Sequence, residues 1–221
     1  MLPGGRPLDP RRFYLAYRAA AGFLSAVALA TYGLYVVREA GLSPLELVLL
    51  GTITEGASFL FEVPTGVIAD VYSRRLSILL APLTNALAFI VMAAVPGFLF
   101  VAAGSVLFAL SWTFRSGALE AWLADEIGED RAAGSYLRGA QFSQAGYLLG
   151  IIVGVFAATV DLQAPMLIGG AAHLLLALGV ALAMSERGFV GGETTGWSAV
   201  GNTAVAGLRA MLDTMDEAPT L

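Results

Sequence analysis

Six runs of roughly twenty apolar residues, each enough to cross a hydrocarbon core of about 30 Å as a helix, divide this chain: about 13–37, 45–69, 76–95, 98–122, 142–160 and 164–184. With 57% of its 221 residues hydrophobic and only 13% charged, the sequence is built for lipid and not for a water-facing domain. Spans of this kind satisfy their own backbone hydrogen bonds as helices, so an all-α membrane protein with six transmembrane helices is expected.

The links between the runs alternate in character. Arg11, Arg12, Arg74, Arg75, Arg131, Arg138 and Arg187 fall on one side of the alternation, and Arg38 falls on the other. The positive-inside rule then places residues 1–12 and 185–221 in the cytoplasm, on either side of a membrane domain over 13–184. After Met184 a Gly- and Thr-rich linker leads to Trp197, Val200, Ala204, Leu208, Met211 and Met215, the spacing of an amphipathic helix over about 197–215. Its Arg209 is offset by Asp213, Asp216 and Glu217, which favours protein over anionic lipid as its contact. No Cys occurs, which excludes disulfides and thiolate metal sites, and no metal or cofactor is expected. A net charge of −5 gives no sign of nucleic-acid binding, and no nucleic-acid partner is expected.

Ionisable side chains at mid-membrane depth need a partner, a wet cavity or a task. At 1.5 Å per residue, Glu55 lies roughly 15 Å into the second span and Glu62 roughly 25 Å, on one helical face. Arg115 of the fourth span matches Glu62 in depth, so an ion pair between them is expected, either static or switching. Glu55 reads as a coupling or substrate residue, or as a carboxyl bonded across helices to Asn85 or a Thr. His173 is a packing residue or a functional one, and Tyr17 and Tyr32 are candidate cavity residues. Gly146, Gly150 and Gly154 recur every fourth residue on the fifth span, a face that lets another helix come close.

Between the second and third runs stands Pro64-Thr65-Gly66-Val67-Ile68-Ala69-Asp70-Val71-Tyr72-Ser73-Arg74-Arg75. Gly66, Asp70, Arg74 and Arg75 in this order resemble the helix 2–3 loop signature of the major facilitator superfamily of secondary transporters. Val71 and Ser73 stand where that family commonly has a basic residue and Gly. Arg115-Ser116-Gly117 resembles part of its helix 4 pattern, and the stretch from Arg115 to Glu126 resembles bacterial drug-efflux members. The fifth-span glycines resemble the antiporter motif, with Ile151 at the place of its Pro. The resemblance implies a secondary transporter, such as a proton-coupled efflux carrier of drugs or amphiphiles, in a bacterial or archaeal cell membrane. It implies the N-terminal half of a twelve-helix fold, with helices 7–12 or a second chain as partner. It also implies that Asp70 and Arg74, supported by Arg115, form a cytoplasmic latch. Gly66 is expected to bring the end of helix 2 close against a neighbour.

Two other classes compete. Ser116-Gly117 and His173 superficially match the dyad of a rhomboid-like intramembrane protease, but they differ in expected depth by roughly 13 Å. A non-transporting membrane subunit would leave the charged turn without a purpose.

Overall fold

Asp9 accepts a hydrogen bond from the Arg12 backbone N–H at 3.1 Å, and Pro10 occupies the first turn, where a missing N–H costs nothing. These residues start α1 (Pro10–Leu29) in a computed structural model that describes residues 9–191. The expected amphipathic helix over about 197–215 lies outside the described residues. The other helices are α2 (Tyr32–Arg38), α3 (Pro44–Val67), α4 (Arg74–Ala94), α5 (Phe98–Arg115), α6 (Ala118–Ile127), α7 (Glu129–Ala157) and α8 (Ala164–Ala183). No strand occurs among the described residues. Among the described residues, six helical segments are long and apolar enough to cross a membrane: Pro10–Arg38, Pro44–Tyr72, Arg74–Ala94, Phe98–Ile127, Glu129–Ala157 and Ala164–Ala183. This is an all-α, six-span bundle consistent with one half of a facilitator fold.

The spans differ from the apolar runs at their polar ends. The fifth begins at Glu129, well before residue 142, because its first turns carry Glu129, Asp130, Arg131 and Arg138 and hydropathy is blind to them. Gly128, at φ +86°, makes the tight reversal out of α6 that lets α7 start there. The second span does not stop at Ala69. Pro64 removes one helical hydrogen bond, yet the chain continues to Val67 and then through a π-helical turn over Ile68–Tyr72. Ser73, in extended conformation, then caps α4 by accepting from the Leu76 N–H.

Helix contacts follow a single order: α3 packs on α5, α5 on α4, α4 on α8, α8 on α1, and α1 on α7. Reading the order from either end exchanges span 1 with span 4, span 2 with span 5 and span 3 with span 6. Three spans invert the direction of the chain, so this contact order is the one that an inverted repeat of two triplets would have. Both central members are broken, span 1 at Ala30–Thr31 and span 4 at Ser116–Gly117. The second break needs Gly117, whose φ of +75° disfavours any side chain.

The tightest contact joins α1 to α7. A Cβ at Gly146, Gly150 or Gly154 would fall on the carbonyl oxygens of Ala19, Phe23 and Val27 respectively, and a Cβ at Gly22 would fall on the Ser143 carbonyl. Small residues on both helices bring the two backbones together.

The apolar core is split. One cluster, with Phe13, Ile78, Leu119, Trp122 and Val180, fills the Arg-rich end. The other, with Tyr35, Phe89, Met92, Val101 and Met166, fills the opposite end. Tyr35 is fully buried there and donates its hydroxyl hydrogen to the Met92 carbonyl at 2.8 Å. Tyr35→Phe is expected to cost about 1 kcal/mol, read as a small fall in the thermal midpoint in detergent. An unchanged midpoint would remove that bond from the stability of this end. Between the clusters lies a polar belt with Asn85, Ser105, Ser111 and His173, all buried.

Candidate functional site

Two cavities open from the belt and share one wall. The larger, about 440 Å³, lies between α1, α5 and α7 and is lined by Tyr17, Asn85, Trp112, Arg115, Glu120 and Tyr147 among others. The smaller, about 360 Å³, lies between α3 and α5 and is lined by Glu55, Ser58, Glu62 and Thr113 among others. Phe108, Trp112 and Ser116 of span 4 border both.

Arg18 and Glu120 form the fixed charge of the larger cavity. They pair at 2.9 Å, and Glu120 also accepts from the Tyr14 hydroxyl at 3.3 Å, while the Tyr136 hydroxyl donates to the Glu120 backbone carbonyl. The pair ties span 1 to span 4 across the bundle. Neither residue stood out in the sequence as a site. Arg18 lies only about 12 Å along α1 by rise, where a charge reads as interfacial. A usable signal was present nonetheless: it is the one basic residue inside the first apolar run.

The expected Glu62–Arg115 ion pair does not form. Arg115 lies over the Trp112 ring at 4.8 Å and faces the larger cavity, whereas Glu62 lines the smaller one. Depth matched and azimuth did not. Thr113 points toward Glu62's side, and a residue two positions later on a helix is turned by about 200°. Glu55 makes no hydrogen bond to Asn85 either: the Asn85 amide turns to His173 at 2.9 Å and Asn85 lines the larger cavity, whereas Glu55 lines the smaller one. Both carboxylates sit on the exposed side of α3, with no ion pair among the described residues.

His173 is buried, with one ring nitrogen on Asn85 and the other on the Gly169 carbonyl at 2.7 Å. Both nitrogens are therefore committed, and none is left to activate Ser116, which lies on the cavity walls. Tyr17 lines the larger cavity, as expected of it. Tyr32 does not reach either cavity; the break at Ala30–Thr31 redirects it onto the core cluster around Phe89 and Met92.

At the Arg-rich end, Arg74 bridges two carboxylates, Asp125 at 2.5 Å through Nε and Asp70 at 3.1 Å through a terminal nitrogen. Asp125 escaped the sequence reading because it lies far from the turn in the chain. Arg115 takes no part in this cluster, since it faces the cavity instead. Among the described residues nothing lies within 4 Å of a Cβ placed at Gly66, so it mediates no close approach there. Arg75 donates to the Ala181 carbonyl at 2.6 Å, which satisfies an otherwise free acceptor in the last turn of α8. The segment that follows α8 folds back onto the cluster. Glu186 accepts from the Ser73 hydroxyl and the Arg75 N–H, and Glu126 accepts from the N–H groups of Arg187 and Gly188.

With this geometry in view, the relatives of the chain are informative. No family profile matches it. Over 132 residues, 60% of the chain, it is 27% identical to a protein of Bacillus subtilis (strain 168) described as an uncharacterized MFS-type transporter, YxaM. The similarity is to a facilitator-type transporter. The matched region covers 33% of YxaM, so the chain spans about a third of the length of the relative that it matches. A transporter relative and six helices able to cross a membrane together mark an integral membrane protein.

Proposed function

We propose that the chain forms one six-helix half of a secondary transporter that moves a small amphiphile through the larger cavity, in the efflux direction and in exchange for protons. One observation carries the reading: six spans in a symmetric contact order border a cavity with Arg18, Asn85, Arg115 and Glu120 in its wall, the arrangement in which carriers of alternating access hold their substrates. YxaM supports it as an MFS-type relative. Glu55 and Glu62 are the proton carriers in this proposal. They line a cavity that shares its Trp112 wall with the substrate site, so protonation on one side of span 4 is felt on the other.

The partner half packs against α3 and α7. These helices lie at the two ends of the contact order and expose Phe59, Leu60, Leu149 and Phe156. A second copy of the chain or a separate six-helix half fills that place. The Asp70–Arg74–Asp125 cluster lies on the cytoplasmic side and acts as the latch between halves.

The test is flux in proteoliposomes under an imposed pH gradient, with a panel of anionic, neutral and cationic amphiphiles. The chain joined to its partner half is expected to move at least one of them in a gradient-dependent way, and Glu55→Gln with Glu62→Gln is expected to cut that flux at least tenfold. No flux for any compound defeats the carrier reading, and flux indifferent to both substitutions defeats the coupling role. Net flux by isolated monomers defeats the two-half mechanism.

A further inference from the structure

We infer that the faces left open on α3 and α7 are filled by a second copy of this chain, with Glu62 of each copy paired to Arg138 of the other. The inference deepens the two-half reading above by naming the occupant, and it brings a counter-charge to the smaller cavity.

Lone charges inside a span call for a partner. Neither Glu62 nor Arg138 has an ion pair among the described residues, and both are exposed. The spans that carry them are equally long, Pro44–Tyr72 and Glu129–Ala157, each of 29 residues. These spans cross in opposite directions and both copies insert the same way round, so α3 of one copy meets α7 of the other antiparallel. Glu62 then stands ten residues before the Arg-rich end of its span at Tyr72, and Arg138 stands nine residues after the same end of its span at Glu129. They match in depth to about 1.5 Å, roughly 14 Å along the span from its polar end.

The match extends along both helices. On α3 the exposed residues Val48, Thr52, Glu55, Phe59 and Glu62 recur at steps of four and three. On α7 Arg138, Gln141, Ala145, Leu148 and Ile152 recur at steps of three and four, and all are exposed. Each set is a seam of period 3.5, the spacing along which two helices pack at a shallow angle. With Glu62 opposite Arg138, the antiparallel register sets Phe59 beside Gln141, Glu55 beside Ala145 and Val48 beside Ile152. The small Ala145 leaves room for the Glu55 carboxyl, and Gln141, one turn away, offers it an N–H donor. No like charges oppose each other along the seam.

Each copy offers one α3 and one α7, so a two-fold axis along the membrane normal makes the contact twice. The other flank of each helix is already taken within the chain, by α5 for α3 and by α1 for α7. Lipid against the same seams would leave a carboxylate and a guanidinium facing hydrocarbon on every copy.

The chain has no Cys, so introduced cysteines report the contact directly. Copies with Phe59→Cys and copies with Gln141→Cys, differently tagged and co-expressed in one bacterial membrane, are expected to give a mixed disulfide on oxidation. Phe59→Cys with Ile152→Cys, eleven residues or about 16 Å out of register, should give none. Association is then read by energy transfer between donor- and acceptor-labelled chains in liposomes as added lipid dilutes them. The native chain is expected to dimerise. Glu62→Arg or Arg138→Glu alone sets like charges together at both contacts and should weaken the dimer at least about tenfold. Both exchanges in one chain restore opposite charges and should bring the affinity back to within about threefold of native, a recovery that a merely misfolded variant does not show. Native chains that stay monomeric overturn the inference, as do an absent mixed disulfide, single exchanges without effect, or no recovery in the doubly exchanged chain. Monomers that co-purify with the unmatched part of YxaM assign the face to a separate half and overturn it too. The carrier reading stands or falls separately, by the flux measurement.

Discussion

Gly150→Leu is expected to yield little or no monodisperse protein, with a loss of about 3 kcal/mol or more in whatever fraction folds. The reason is backbone contact: a Cβ at Gly150 would overlap the Phe23 carbonyl oxygen and the Ala26 methyl, and neither belongs to a flexible side-chain end that can swing away. The α1–α7 contact repeats this arrangement at Gly146 and Gly154, so relief at one position is blocked at the next. The contrast is Gly66→Ala in the charged turn. No atom of the described residues lies within 4 Å of a Cβ there, and in a helical setting Ala is favoured over Gly by roughly 1 kcal/mol. Size-exclusion yield and thermal midpoint in detergent decide the matter. The account fails if Gly150→Leu folds as well as the native chain, or if Gly66→Ala is the more damaging of the two.

Asp125→Asn and Asp70→Asn should separate what holds the Arg-rich end from what faces outward. Arg74 is mostly buried, and Asp125 meets it at 2.5 Å with its side chain only 27% exposed. Removing that carboxylate charge leaves a mostly buried guanidinium short of a partner, with an expected cost of about 2 kcal/mol. Asp70 is 67% exposed, and its i,i+4 pair with Arg74 is worth no more than about 0.5 kcal/mol. If Asp70 acts in the latch, Asp70→Asn should change flux several-fold while the thermal midpoint stays within a degree or two of the native value. Equal stability losses in the two variants would show that both carboxylates are structural and would remove Asp70 from the gate.

The number of spans was legible in the sequence because lipid makes apolar length a direct physical requirement. What lay on each helical face was much less so. Depth placed Glu62 and Arg115 together, but rotation about α5 put them on opposite flanks of one helix. The glycine of the charged turn stands out by its spacing, yet no described residue lies against it, while the fifth-span glycines meet a backbone. Arg18, Glu120 and Asp125 were overlooked for a common reason: charges near helix ends look solvated until another span is brought beside them. The break at Ser116–Gly117 leaves only a small residue pair in the sequence, whereas in three dimensions it turns span 4 into the shared wall of both cavities.

The order of helix contacts also constrains how the chain is made. Span 1 has its main neighbours in spans 5 and 6, and the carboxylate that meets Arg18 arrives only at the end of span 4. During synthesis the first span must therefore wait, with a guanidinium unmatched, until most of the domain has left the ribosome. Its partners come from the far half of the chain, so assembly closes by interleaving late spans with early ones and not by stacking each on the last.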